Sequence, residues 1–106
     1  MTPRRTYPAL VLLAGMLLPV SAHAATIQII IDKLVNTPAE VTAKVGDTIE
    51  WINKDVLAHT ATAKNGDWDV MIGPNKTGQV VLKKAGDVDY YCKFHPNMTG
   101  RLKVAP

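Results

Sequence analysis

Residues 90–100 of this 106-residue chain have the sequence Tyr-Tyr-Cys-Lys-Phe-His-Pro-Asn-Met-Thr-Gly, in which an alternating strand runs directly into three potential metal ligands. These ligands are Cys92, His95 and Met98, each separated from the next by two residues. A second histidine, His59, lies thirty-three residues before Cys92. One thiolate, two imidazoles and one thioether form a donor set that favours copper.

Zinc also binds cysteine and histidine, but structural zinc sites are usually closed by further residues of those two types and not by a thioether. Considered singly, Cys92 and Met98 could fill a core and His59 could be a polar residue at a strand end. Their joint spacing favours a metal site. Met71 is an alternative axial donor, but its position outside the loop favours a core or surface role.

The first 24 residues have the three parts of an export signal. Arg4 and Arg5 precede an apolar run over 9–20, and small residues then flank His23 at a cleavage pattern. The apolar run is shorter than the roughly 20 residues that a transmembrane helix needs, so we expect no stable membrane insertion. We predict a signal peptide over 1–24, cleaved after Ala24, and a mature protein in the periplasm.

The predicted mature chain, residues 25–106, is one small domain of nearly balanced charge. Arg4 and Arg5 account for two of the twelve basic residues, so the domain keeps ten basic and nine acidic residues. No basic cluster interleaved with aromatic residues suggests nucleic-acid binding. A single cysteine forms no intramolecular disulfide, and its neighbours favour a liganded thiol. We expect a monomer.

Alternating apolar residues and turn signals predict an all-β domain. Trp51 is expected to face the core, and the period of two places Val88, Tyr90 and Cys92 on one inward face. Short strands separated by glycine-containing turns are typical of a sandwich or barrel. The predicted strands lie at 27–32, 41–45, 48–53, 59–63, 79–83, 88–92 and 100–105.

Two motifs together resemble a known family. The first is W-x-N-x-D-x-x-x-H, which ends at His59, and the second is Y-Y-C-x-x-H-P-x-M-x-G over 90–100. They resemble the cupredoxins, or type 1 blue copper proteins, and the two-residue gaps are similar to the short ligand loop of the amicyanin subgroup. The resemblance implies a Greek-key β-sandwich of about seven to eight strands. It also implies one type 1 copper per chain. The implied ligands are His59, Cys92, His95 and Met98.

The donor set and the resemblance predict a carrier of single electrons that cycles between Cu(II) and Cu(I). We expect protein redox partners to dock near His95, where an apolar patch could include Leu57, Ala58, Pro96 and Met71. Asn53 and Thr60 are candidates for hydrogen bonds to the ligand loop. A copper carrier or storage protein is the alternative. An enzyme is not expected, because no histidine remains to build an open or second metal centre.

Overall fold

The computed structural model describes residues 23–106, which form nine β-strands. Residues 1–22, and with them most of the predicted signal peptide, lie outside the described residues. Within residues 23–106 there is no helix with the length and apolar character needed to cross a bilayer. The strands are β1 (Thr26–Asp32), β2 (Val35–Thr37), β3 (Glu40–Lys44), β4 (Thr48–Asn53), β5 (His59–Ala63), β6 (Asp69–Ile72), β7 (Thr77–Val81), β8 (Gly86–Tyr91) and β9 (Thr99–Ala105).

The strands form two mixed sheets. One sheet has the order β2-β1-β4-β7 and the other the order β3-β9-β8-β5-β6. β1 pairs with β4 and β3 pairs with β9 in parallel, whereas the other neighbours are antiparallel. The predicted all-β sandwich is confirmed, with nine strands in place of seven to eight.

The core includes the residues that alternation placed inward. Trp51 is fully buried, and Val88, Tyr90 and Cys92 are all buried on one face, as predicted. The Tyr90 ring lies so close to Gly100 that a Cβ there would be 2.2 Å from Tyr90 Cζ. A glycine at this position therefore lets β9 pass directly over the ring.

Two strands, β2 and β6, were not predicted from the sequence. β2 has three residues and is held by pairing with β1 and by a 3.1 Å hydrogen bond from Asn36 Nδ2 to the Thr99 carbonyl. β6 is an edge strand that pairs with β5 and buries only Ile72. Each pairs with the strand that immediately precedes it in the chain, but three or four residues are too few to show a clear period of two.

The candidate ligands gather at one end of the sandwich. His59 begins β5, and Cys92 directly follows β8, which ends one residue earlier than predicted. Because β5 and β8 are antiparallel neighbours, the start of one lies beside the end of the other. At the opposite end, the predicted turns at Gly46 and Gly66 contain glycines with positive φ angles of 99° and 86°.

Candidate metal centre

His59, Cys92 and His95 form a compact cluster. The Cys92 Sγ atom lies 3.7 Å from His59 Nδ1 and 3.8 Å from His95 Nδ1. All three ligand atoms lie within 4.8 Å of one another. The two imidazole rings are inclined at 61°, with their centroids 5.1 Å apart. His59 and Cys92 are buried, whereas His95 is half-buried.

These separations fit ligands of one ion. Metal–nitrogen bonds of about 2.0 Å and metal–sulfur bonds of about 2.3 Å place nitrogen and sulfur about 3.5–3.7 Å apart at tetrahedral to trigonal angles. The observed 3.7 and 3.8 Å distances need almost no rearrangement to meet that requirement. Two imidazoles and a thiolate suit copper, particularly with a weak thioether ligand.

The loop from Cys92 to Met98 is closed by its own backbone. The N–H of His95 donates to the Cys92 carbonyl at 3.2 Å, and the N–H of Met98 donates to the His95 carbonyl at 2.8 Å. The Cys92 N–H then donates to the Met98 carbonyl at 3.0 Å. These bonds fix two successive turns and bring Met98 back to the end of β8, where its side chain is buried with 4% exposure.

Thr60 supports the cysteine from the neighbouring strand. Its backbone N–H donates to Cys92 Sγ at 3.3 Å, and its hydroxyl oxygen accepts from the Lys93 N–H at 2.9 Å. Together these two hydrogen bonds hold Cys92 and Lys93 against the start of β5. The sequence singled out Thr60 as a supporting residue, and the structure places it in contact with the ligand.

Asn53 organises the segment that leads into His59. Its buried amide donates to the carbonyls of Leu57 at 2.8 Å and Gly73 at 3.0 Å. Its Oδ1 accepts from the Asp55 N–H at 2.8 Å. Asn53 therefore fixes the 54–58 loop. Its hydrogen bonds go to this loop and to residues 72–73, whereas the sequence predicted hydrogen bonds to the ligand loop.

Asp55 is the supporting residue that sequence reasoning missed. Its carboxylate lies 2.8 Å from His59 Nε2, so it can fix the ring with Nδ1 facing Cys92. It also accepts from the backbone N–H groups of Lys33 at 2.7 Å and Leu34 at 3.0 Å. Burial would raise the pKa of Asp55, but these two N–H donors and His59 lower it below its ordinary value. The sequence does contain an indication of this contact, because Asp55 lies only four residues before His59.

Asp55→Asn should raise the reduction potential of the copper-loaded protein by about 30–60 mV, because it removes a negative charge that favours Cu(II). Copper affinity should fall about 10-fold or more, as for other residues that orient a metal-bound histidine. Cyclic voltammetry and copper titration measure both changes. Asp87→Asn, the same change on an exposed residue at the start of β8, is the control. Equal shifts in the two variants would refute an orienting role for Asp55.

An apolar rim surrounds the half-buried His95. Phe94 and Leu34, which the sequence did not single out, are 52% and 43% exposed, and Leu57 is 49% exposed. Leu34, Phe94 and Pro96 line a shallow depression with His95. Met71 is 60% exposed on β6, which favours the surface interpretation over an axial ligand.

Two cations near the loop, Lys93 and Arg101, are paired with carboxylates. Lys93 Nζ lies 2.6 Å from the Asp69 carboxylate, and Arg101 Nε lies 2.6 Å from the Asp89 carboxylate. Exposed pairs of this kind contribute little to stability, but the two carboxylates offset the positive charge of Lys93 and Arg101. The rim around His95 is therefore mainly apolar.

A nine-stranded sandwich with two histidines, a cysteine and a buried methionine at one end defines the class of small β-sandwich proteins with a single copper site. A family model described as a cupredoxin-like domain matches residues 7–104. The chain belongs to the cupredoxin-like family.

Its relatives include amicyanins and a plastocyanin. The chain is 34% identical to amicyanin of Paracoccus versutus over 80 residues, which cover 70% of this chain and 61% of that protein. It is 31% identical to chloroplastic plastocyanin of Tetradesmus obliquus over 111 residues, covering 89% and 76% of the two chains. A reduced Cu(I) form of an amicyanin variant at pH 4 superposes with a TM-score of 0.65 at 30% identity, covering 80% of this chain and 85% of that one.

These likenesses bear on two predictions. A matched amicyanin structure contains Cu(I), and the described residues bring His59, Cys92 and His95 together, so copper as the cofactor is confirmed. The amicyanin and plastocyanin relatives are electron carriers and not enzymes, which supports the prediction that this chain is not an enzyme. The assignment of the four individual ligands stays a prediction.

Proposed function

We propose that this protein carries single electrons between protein partners in the periplasm, using one type 1 copper held by His59, Cys92, His95 and Met98. The observation that carries the proposal is the preformed cluster in which Cys92 Sγ lies 3.7 and 3.8 Å from two imidazole nitrogens. Bound copper would supply the one-electron couple between Cu(II) and Cu(I).

The chain's own contribution is a set of ligands that need not move. The Asp55 carboxylate contacts His59 Nε2 and orients the ring, and the Thr60 N–H donates a hydrogen bond to Cys92 Sγ. Three backbone hydrogen bonds close the loop that carries His95 and Met98. Because the same arrangement can serve both oxidation states, little reorganisation accompanies electron transfer. Burial of His59 and Cys92 also favours retention of the metal over its delivery to another protein.

Electrons would pass through the edge of His95. This ring is the most exposed of the candidate ligands, since His59, Cys92 and Met98 are all at most 4% exposed. The apolar rim of Leu34, Phe94 and Pro96 would exclude water when a partner docks. The partner face would therefore be apolar at its centre.

The visible and EPR spectra of the copper-loaded mature protein test the site class. An intense blue thiolate-to-copper band with narrow copper hyperfine splitting is expected. A weakly coloured protein with wide splitting would refute a type 1 site. Slow copper loss to an apo-acceptor, together with fast redox cycling, would support the electron carrier; ready transfer would support the copper carrier instead.

Phe94→Glu should slow electron self-exchange between reduced and oxidised copper-loaded protein by about 10-fold or more. Self-exchange brings two apolar rims together, and two carboxylates facing each other at this contact repel. NMR line broadening in mixtures of the two oxidation states measures the rate. Val81→Glu, at a 49% exposed apolar residue on β7, is the matched control. If both variants slow exchange equally, the docking face is not the rim around His95.

A further inference from the structure

A buried carboxylate faces the first residue of the predicted mature chain. The backbone nitrogen of Ala25 lies 2.9 Å from Asp47 Oδ1 and donates a hydrogen bond to it. Asp47 is only 3% exposed, whereas Ala24 and Ala25 are both exposed. In the unprocessed chain this donor is a neutral amide, because Ala24 precedes it.

Asp47 forms hydrogen bonds with three segments at the end of the sandwich that is remote from the metal centre. Its Oδ2 accepts from the Lys44 N–H at 2.9 Å, and its carbonyl accepts from the Leu82 N–H at 2.8 Å. The next residue, Thr48, donates its N–H to the Ala25 carbonyl at 2.9 Å, which starts the parallel pairing of β1 with β4. The position of Ala25 is therefore fixed by the fold before any charge is considered.

We propose that cleavage after Ala24 creates an ion pair between the new α-ammonium group of Ala25 and the Asp47 carboxylate, and that this pair anchors β1 in the mature protein. Hydrolysis of the Ala24–Ala25 peptide bond converts the amide nitrogen into an ammonium group at the same place. The neutral hydrogen bond becomes a charge-assisted one. Processing thus stabilises the folded domain as well as releasing it.

The pair also gives the mature protein a defined pH dependence. Lys44 is the charged side chain that acts on Asp47 through space in the described residues, and the Ala25 and Lys44 N–H groups hold the pKa of Asp47 below its ordinary value. An α-amino group has an ordinary pKa of about 8, which the carboxylate should raise in the folded state. The stabilisation is then fully present just below pH 8 and is lost as the pH rises through the raised pKa of the ammonium group in the folded state. It is also lost in acid, as the pH falls through the lowered pKa of Asp47.

Two copper-loaded chains that differ by one residue test the proposal. One begins at Ala25 and the other at Ala24, which moves the ammonium group by about 3.8 Å while keeping the Ala25 N–H. All nine strands lie within both chains. At pH 7 the chain that begins at Ala25 should unfold roughly 2–5 °C higher, and the difference should disappear near pH 10. Asp47→Asn in both chains should also remove the difference, which makes a complete double-mutant cycle.

An equal Tm for the two chains at pH 7, or a difference that survives in Asp47→Asn, would overturn the proposal. If Asp47→Asn does not fold, NMR titration of the Ala25 α-amino group decides: a pKa above about 8.5 supports the pair, and a value of about 8 overturns it. The mass of the exported protein shows at which residue the mature chain begins. A chain that begins anywhere other than Ala25 would overturn the proposal, while leaving the proposed electron transfer untouched.

Discussion

Cys92→Ser is expected to abolish the blue absorption of the copper-loaded protein completely and to weaken copper binding by at least about 100-fold. A hydroxyl is a hard donor that stays protonated, whereas the thiolate is both a strong ligand and the source of the intense charge-transfer band. The structure makes the loss direct, because Cys92 Sγ is the atom that both histidines and the Thr60 N–H approach. Visible spectroscopy and a copper titration measure the two effects.

Serine has nearly the same shape as cysteine, so the apo form of Cys92→Ser should keep its strand content by circular dichroism. Met71→Leu, which alters the exposed sulfur residue on β6, serves as the control and should leave the blue band intact. A blue Cys92→Ser protein would show that Cys92 is not the thiolate ligand, and no other cysteine is present in the chain to replace it.

Met98→Gln is expected to keep copper bound but to lower the reduction potential by about 100 mV or more. A thioether favours Cu(I), whereas an amide oxygen favours Cu(II), and a change of about 59 mV corresponds to a tenfold change in the relative affinity for the two states. Met98 is buried at the end of the closed loop, so the replacement acts at the site itself. Protein-film voltammetry measures the potential directly.

The same substitution at Met71 separates the two methionines. Met71→Gln should change the potential by no more than about 20 mV, because an exposed polar group is screened by water. A large shift for Met71→Gln with no shift for Met98→Gln would reverse the axial assignment. The 60% exposure of Met71 makes that outcome contrary to the structure.

Local patterns were sufficient for much of the fold. Alternation placed Trp51 and Tyr90 inward, and glycine marked the turns at Gly46 and Gly66, where the backbone adopts positive φ. β2 and β6 escaped prediction because three- and four-residue strands have too few residues to show a period of two. Each is positioned by pairing with the strand immediately before it, β1 or β5, and not by an alternation pattern of its own.

The candidate ligands were predictable because three of them share one short loop. Spacings of two residues bring Cys92, His95 and Met98 together through local turns, and the copper preference follows from their chemistry. His59 could be named because it is the other histidine of residues 25–106. The sequence could not show which atoms the His59 ring contacts, namely Asp55 Oδ2 and Cys92 Sγ.

The sequence by itself determined the donor set and the all-β class and predicted an export signal, since each depends on residue types and local spacing. Only the tertiary structure decided that Asp55 holds His59, that Thr60 donates to Cys92 and that Asp47 faces Ala25. The Thr60 and Asp47 contacts join residues more than twenty positions apart, across strand pairs whose register no local pattern fixes. The Asp55 contact is close in sequence, yet it exists because Asn53 and the 33–34 turn hold the loop in one conformation. Long-range packing therefore turns a recognisable set of ligands into an oriented site.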